Sequence, residues 1–184
     1  MRAPAAAAIA MLVLASRGAV AEPLPPGSVG MWAGLVSGTG ADAGRLGQGF
    51  QWGGAAAWQP MNTEQRLGWS AKTSFALGQL YDGSAPSVGD KLATMQIDFE
   101  VGIRIRPGVD PYRYLTLRGG VELLRANQVV PPKLQRAFVG AVGSIGVDQY
   151  LFGSMLLAVD VRVSQIGTGP TTIALMFGVG LTGP

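Results

Sequence analysis

The chain has 184 residues, enough for one domain, of which 48% are hydrophobic and only 14% are charged. Soluble domains carry about 25% charged residues, so an ordinary soluble surface is not expected, and the net charge of +3 without a basic cluster gives no reason to expect nucleic-acid binding. Cysteine and histidine are both absent, which excludes disulfides, thiolate or imidazole metal sites, and nucleophiles activated by histidine.

Residues 1–21 have the pattern of a secretory signal peptide. Arg2 supplies a positive start, Ala5 to Ala15 form a short apolar core, and Ala19-Val20-Ala21 is an A-x-A-type cleavage site. A membrane anchor is the alternative, but the apolar run is shorter than the roughly 20 residues that a spanning helix needs. Cleavage would leave residues 22–184 as one domain with no further run long enough for a transmembrane helix.

Alternating residues predict three strands in the first part of this domain: Ser28–Ser37, Gln48–Gln59 and Arg66–Leu80. In each strand an apolar row faces one way while glycine, alanine or polar residues face the other. Lys72, for example, lies opposite the row that contains Trp69.

The strictest alternation follows, in a fourth strand from Lys91 to Arg106. Its even positions include Asp98, Glu100 and Arg104, while its odd positions are apolar from Met95 to Ile105. A strand of about ten residues tilted by about 40° crosses about 25 Å, the height of the apolar band of a transmembrane β-barrel. One face is therefore predicted to contact lipid and the other to line an interior.

Four more strands complete the chain. Strand 5 follows the turn Pro107–Pro111, strand 6 runs from Arg136 to Asp148, and strands 7 and 8 centre on Val159 and Phe177. Strand 6 is ambiguous, because its apolar residues occupy both even and odd positions and therefore both faces of the strand. The outward set is predicted to be Val139, Ile145 and Val147.

The connections alternate in length. Three are predicted to be short: Pro60–Gln65, Pro107–Pro111 and Gln149–Gly153. The others are longer or moderate: Gly38–Gly47, Tyr81–Asp90, Ala126–Gln135 and Gly167–Pro170. This rhythm predicts an all-β fold, an eight-stranded antiparallel up-and-down transmembrane β-barrel preceded by a signal peptide, with the short turns in the periplasm.

Three groups of side chains follow from this barrel. The first is a network of charges around the lumen: Lys72, Asp98, Glu100, Arg104, Arg118, Glu122, Asp160 and Arg162. The second faces lipid: Met95, Ile97, Phe99, Val101, Ile103, Leu115, Leu117, Val159, Val161, Leu175 and Phe177. The third is an aromatic girdle beside the short turns: Trp58, Trp69, Tyr112 and Tyr150.

Two carboxylates on one face, Asp98 and Glu100, have the spacing of an acid–base pair. Arg104 and Arg106 continue the same row, however, and Arg118 lies on the adjoining strand, so ion pairing is the preferred interpretation. Coupling between Arg118 and Glu100 is expected.

In these features the chain resembles the small eight-stranded outer-membrane barrels that include the OmpA transmembrane domain, OmpX and OmpW. The resemblance implies a location in a bacterial outer membrane, insertion by the barrel-assembly machinery, and contact with outer-membrane lipid and lipopolysaccharide. It implies no cofactor and no metal. One departure is the end Leu181-Thr182-Gly183-Pro184, where such barrels commonly end on an aromatic residue.

The predicted function is that of a non-enzymatic membrane barrel with a polar, largely plugged lumen and a structural or surface-interaction role. A narrow OmpW-like channel for ions or small hydrophobic solutes is one alternative. A soluble lipocalin-like carrier is another, because Gly30-Met31-Trp32 matches the G-x-W signature of that fold. Gly178 to Gly183 matches a dinucleotide-binding pattern, but no helix can follow it. The sequence predicts no oligomeric state.

Overall fold

The computed structural model describes residues 26–39, 47–60, 65–81, 91–108, 110–128, 135–151, 154–166 and 171–183. It has eight strands: β1 (Gly27–Thr39), β2 (Gln48–Trp58), β3 (Leu67–Tyr81), β4 (Lys91–Ile105), β5 (Arg113–Gln128), β6 (Gln135–Leu151), β7 (Met155–Ile166) and β8 (Thr171–Thr182). Within the described ranges, no helix is long and apolar enough to cross a membrane. The predicted signal peptide and most residues of the four longer connections lie outside these ranges.

Each strand pairs with its neighbour in the sequence, and β1 also pairs with β8, so the sheet closes on itself. All eight pairings are antiparallel. Met31, for example, lies opposite Gly54 on β2 and Val179 on β8. Closure leaves no strand with an unpaired edge, and eight strands enclose a space that side chains can fill. The predicted up-and-down barrel is confirmed.

The strands differ from the predicted ones mainly at their ends. The predicted loop Ala126–Gln135 is shorter, because β5 continues to Gln128 and Asn127 pairs with Gln135. The predicted turn Gln149–Gly153 is also wrong in part, since β6 runs on to Leu151. Backbone hydrogen bonds continue at these ends, where the alternation of apolar residues has already stopped.

The two ends of the barrel can be told apart by their connections. The terminal end, where β1 begins and β8 ends, carries segments 59–66, 106–112 and 152–154. The distal end carries segments 40–47, 82–90, 129–134 and 167–170. Segments 40–47 and 59–66 are equally long, so the lengths do not alternate as strictly as the sequence suggested.

The two faces of the wall have opposite character. Along β4, Ile97, Phe99 and Val101 are exposed on the outside, while Asp98 and Glu100 are buried inside. On β6, Val139, Ile145 and Val147 are exposed, which confirms the predicted outward set for that strand. On both strands the exposed exterior face is apolar, and on β4 the interior face holds charged groups.

Candidate functional site

The lumen is the candidate functional site, because most of the described ionisable groups of the strands converge there. The structure places eight sequence-predicted residues inside the barrel: Lys72, Asp98, Glu100, Arg104, Arg118, Glu122, Asp160 and Arg162. Glu100 is 0% exposed and Arg104 is 1% exposed. Charges buried this deeply need partners, since an isolated ion in a confined interior is strongly disfavoured.

One ion pair crosses the whole lumen. Lys72 on β3 reaches Asp160 on β7 with 2.6 Å between Nζ and Oδ2. β3 and β7 lie four strands apart in an eight-stranded ring, so they are opposite walls. Arg118 on β5 binds the other oxygen of the same carboxylate at 2.8 Å. Asp160 therefore joins three strands across the centre of the barrel.

A second group forms around Arg162 on β7. Its guanidinium lies 2.6 Å from Asp98 on β4 and 2.9 Å from Glu122 on β5. Ser74 donates a hydrogen bond to Asp98 at 2.5 Å, and Ser164 donates one to Glu122 at 2.5 Å. Each carboxylate thus has a cation and a hydroxyl as partners.

The expected link between Arg118 and Glu100 runs through a third residue. Arg118 Nε lies 3.4 Å from Ser144 Oγ, and the Ser144 hydroxyl donates to Glu100 Oε2. Ser144 is on β6, whose interior face the sequence left uncertain. The two charged residues are therefore coupled by a hydroxyl bridge.

A different arrangement lies at the terminal end. Arg104 lies 3.8 Å from the ring centroid of Tyr114, and its Nη2 donates to the Tyr150 hydroxyl at 2.7 Å. The Tyr150 hydroxyl in turn is 3.4 Å from Gln59 Oε1, and Gln59 donates to Ser70 at 3.2 Å. Because β6 and the end of β2 lie on opposite walls, this chain of contacts is a second crossing of the lumen.

Tyr150 was predicted to belong to an exterior aromatic girdle, and that assignment is wrong. It is 2% exposed and lies on the interior face of β6, together with Ser144 and Asp148. The physical reason is the longer strand: β6 continues to Leu151, so Tyr150 keeps the inward parity of the even positions. Arg104 then supplies the polar partner that a buried tyrosine hydroxyl needs.

Asp148 is the main charged residue that the sequence analysis did not include. It is buried, with its Oδ2 atom 3.9 Å from Arg104 Nη2. Like Ser144 it occupies an even position of β6, on the face opposite the exposed Ile145 and Val147. This even position is the sequence signal that could have placed it in the lumen. The described residues contain no group of three or more acidic side chains positioned to hold a metal ion.

Apolar side chains fill another part of the lumen, beside β1, β2, β3 and β8. The buried cluster consists of Trp32, Val36, Ala76, Leu80, Ala174 and Met176. The interior is therefore divided, with ionic contacts along β3 to β7 and hydrocarbon packing towards the distal end of β1 and β8.

The exterior is an apolar belt bounded by polar residues. On β5, Leu115, Leu117 and Leu123 are exposed between Arg113 at the terminal end and the exposed Arg125. Twelve residues at about 3.3 Å each, tilted by about 40°, give a height of about 30 Å between those arginines. Exposed glutamines on the outer face of other strands continue the distal boundary: Gln48, Gln79 and Gln165.

The other residues predicted to face lipid are exposed on this belt: Met95, Ile97, Phe99, Val101, Ile103, Val159, Val161, Leu175 and Phe177. At the terminal end, Trp58 and Trp69 are exposed neighbours, with ring centroids 4.3 Å apart in an edge-to-face arrangement. Tyr112 is half-buried against the tyrosines of the lumen. Of the predicted girdle, the two tryptophans point clearly outward.

Gly146 on β6 offers a local test of the lumen contacts. A Cβ added there would overlap the Asp160 carboxylate, whereas at Gly143, on the outer face of the same strand, the nearest atom would be 3.8 Å away. We expect Gly146→Ala to lower the free energy of unfolding by about 1 to 3 kcal/mol, as overpacking does, because the carboxylate must leave Lys72 and Arg118. Urea unfolding in lipid vesicles measures this effect. Gly143→Ala is the control, and equal losses for the two variants would contradict the placement of Asp160.

A closed eight-stranded barrel with a polar, cross-linked interior and an apolar exterior has the fold of the small barrels of bacterial outer membranes. No protein-family model matches the sequence, and no curated protein matches it either.

Three solved structures illustrate this likeness in fold. Neisserial surface protein A matches with a TM-score of 0.63 and 15% identity, over 88% of this chain and 100% of that chain. Ail, the attachment invasion locus protein of Yersinia pestis, matches with a TM-score of 0.59 and 14% identity, over 88% and 99%. OprG from Pseudomonas aeruginosa matches with a TM-score of 0.55 and 10% identity, over 87% and 98%. At these identities the likeness concerns the fold alone.

Proposed function

We propose that the protein is a non-enzymatic integral barrel of a bacterial outer membrane, with a closed lumen and a structural or surface-interaction role. The carrying observation is that side chains meet across the lumen at two levels. Lys72 and Asp160 join opposite walls near the centre, and Tyr150 and Gln59 join opposite walls near the terminal end. A path for hydrated ions would have to break both crossings.

The exterior supports the membrane assignment. An exposed apolar belt about 30 Å high matches the thickness of the hydrocarbon core of a bilayer. Polar backbone groups in such a belt are satisfied because the strand ladder is closed. The soluble lipocalin-like alternative needs an apolar interior and a polar exterior, and this barrel has the reverse arrangement along β4.

The interior also supports a role other than catalysis. Asp98, one of the two carboxylates with the spacing of an acid–base pair, is held by Arg162 and Ser74, in agreement with the preferred interpretation of ion pairing. Glu100, the other half, accepts a hydrogen bond from Ser144. Carboxylates held in this way stabilise a barrel rather than present a reactive group to a substrate.

A surface role would depend on the distal end, which carries four connecting segments between the strands. The fold is shared with proteins named for attachment and for the cell surface, which supports such a role. Outer-membrane lipid and lipopolysaccharide are the proposed neighbours of the belt, and the barrel-assembly machinery is the proposed partner during insertion.

Conductance separates the closed barrel from the alternative of a narrow channel. We expect the purified, refolded protein to insert into planar bilayers without a steady unit conductance, because both crossings block the lumen. Heat-modifiable migration on a gel confirms in the same sample that the barrel is folded. A reproducible unit conductance from folded protein would support the channel instead.

A further inference from the structure

A cavity of about 60 Å³ lies inside the barrel beside the ionic contacts. Its lining runs from Ser28 and Gln59 near the terminal end to Trp32 and Met176. Small residues of β1, β2, β7 and β8 form one wall: Gly30, Ala55, Ala57, Ala158, Gly178 and Gly180. Charged side chains of the lumen form the other wall.

Four buried polar atoms of residues that line this cavity have no hydrogen-bond partner among the described protein groups. They are the indole Nε1 of Trp32, Nε of Arg162, Oε1 of Glu100 and Oδ2 of Asp148. Each of these residues is at least nine-tenths buried. The nearest cation to Asp148 Oδ2, Arg104 Nη2, lies at 3.9 Å, beyond hydrogen-bond distance. Leaving such groups unsatisfied is costly, so an occupant that bonds to them would be stabilising.

The chemistry of the lining limits what that occupant is. Three cations (Lys72, Arg118, Arg162) and three carboxylates (Glu100, Asp148, Asp160) line the cavity, so a neutral occupant fits the balance. The unpartnered atoms are two donors and two acceptors, so the occupant must both accept and donate hydrogen bonds. An anion or a zwitterion would need one of the three cations, but Asp160 already holds Lys72 and Arg118, and Asp98 and Glu122 hold Arg162.

We infer that this cavity is an internal hydration site, holding a small cluster of ordered water that bonds to Trp32, Glu100 and Asp148. Water is neutral, donates and accepts hydrogen bonds, and needs about 10 to 15 Å³ per molecule, so the cavity has room for about four to six molecules. The inference rests on the closed lumen proposed above, since an open pore would wet every lumen carboxylate alike. The water cluster completes the polar contacts that side chains alone leave open.

Magnetisation transfer from water to carboxyl carbons tests this inference. In ¹³C-labelled protein in phospholipid bilayers, solid-state NMR should show several-fold faster transfer to Glu100 and Asp148 than to Glu122. Glu122 is a matched reference, because it also accepts a serine hydroxyl but does not line the cavity. Equal transfer to all three carboxylates would overturn the inference.

The same experiment distinguishes failure of the hydration site from failure of the closed lumen. Equal and fast transfer together with a steady conductance would mean that the whole lumen is open. Equal and slow transfer without conductance would mean that the lumen is closed and the cavity holds no exchanging water.

Filling the cavity gives a second test. Residue 57 lines the cavity, so Ala57→Leu should fill part of it and slow the transfer to Glu100 and Asp148 without changing the transfer to Glu122. Ala56→Leu, on the exposed face of the same strand, is the control and should change none of the three transfer rates. If Ala57→Leu does not fold, Gly178→Ala replaces it, because its added Cβ would meet its nearest atom at an ordinary 3.5 Å. A folded filling variant that keeps the fast transfer would overturn the inference.

Discussion

Asp160→Ala is expected to lower the free energy of unfolding by about 3 to 5 kcal/mol, the cost of removing one partner from a buried ion pair. Both carboxylate oxygens are used, one by Lys72 and one by Arg118, at 2.6 Å and 2.8 Å. The substitution leaves two cations close together without their shared anion. It also removes the crossing that joins β3 to β7. Urea titration in lipid vesicles measures the stability.

A double-mutant cycle with Lys72→Ala isolates the pair from the general effect of removing side chains. Residues in direct contact show coupling of about 0.5 to 3 kcal/mol, so the double variant should be less destabilised than the sum of the single variants. Additive losses would show that Lys72 and Asp160 do not interact. The exposed Gln165 on the same strand supplies a neutral control, because Gln165→Ala removes a polar side chain from the outside of β7.

The fold was predictable because side chains in a strand alternate between two faces and the faces here have opposite chemistry. Along β4, every second residue from Met95 to Ile105 is apolar, and the intervening positions include Asp98, Glu100 and Arg104. The register of such a strand against its neighbours is fixed, because a shift by one residue would turn every charged side chain from the interior to the exterior. Eight such segments with no strand left over predict a closed antiparallel barrel.

The strand ends were not predictable to the same degree. Beyond the apolar belt both faces of a strand meet polar surroundings, so the alternation that marks the strand disappears while the backbone ladder continues. Asn127 and Gln135 pair in this way, in a region that the sequence assigned to a loop. The inward direction of Tyr150 was missed for the same reason, since its parity is defined only if β6 extends past Asp148.

Parity assigns a charged residue to the lumen but does not identify its partner. Lys72 and Asp160 are 88 positions apart in sequence and lie on opposite walls. Their meeting depends on strand tilt and on the stagger between strands, which the sequence alone does not supply. The expected partner of Arg118, Glu100, is for this reason reached only through Ser144.

The free-energy cost of a charged side chain on the exterior should depend on its depth within the apolar belt. β4 offers a matched pair of residues with which to measure this second large effect. Ile97 and Ile105 are the same residue type on the same exposed face, at 42% and 37% exposure. Ile97 lies well inside the belt, and Ile105 is the last residue of the strand at the terminal end. In a membrane barrel, an arginine costs about 2 to 4 kcal/mol near the midplane and about 0 to 1 kcal/mol near the interface.

We therefore expect Ile97→Arg to lower the free energy of unfolding in phospholipid vesicles by about 2 to 4 kcal/mol, and Ile105→Arg by about 1 kcal/mol or less. The reason is that only the guanidinium at residue 97 must be held deep in hydrocarbon, whereas at residue 105 it reaches the lipid headgroups. Urea titrations of both variants, with the folded fraction read from heat-modifiable migration, measure the difference. Equal losses at the two positions, or no loss at residue 97, would mean that this face of β4 does not contact lipid. In that case the exposed apolar belt would have to be covered by protein, and the membrane assignment would be wrong.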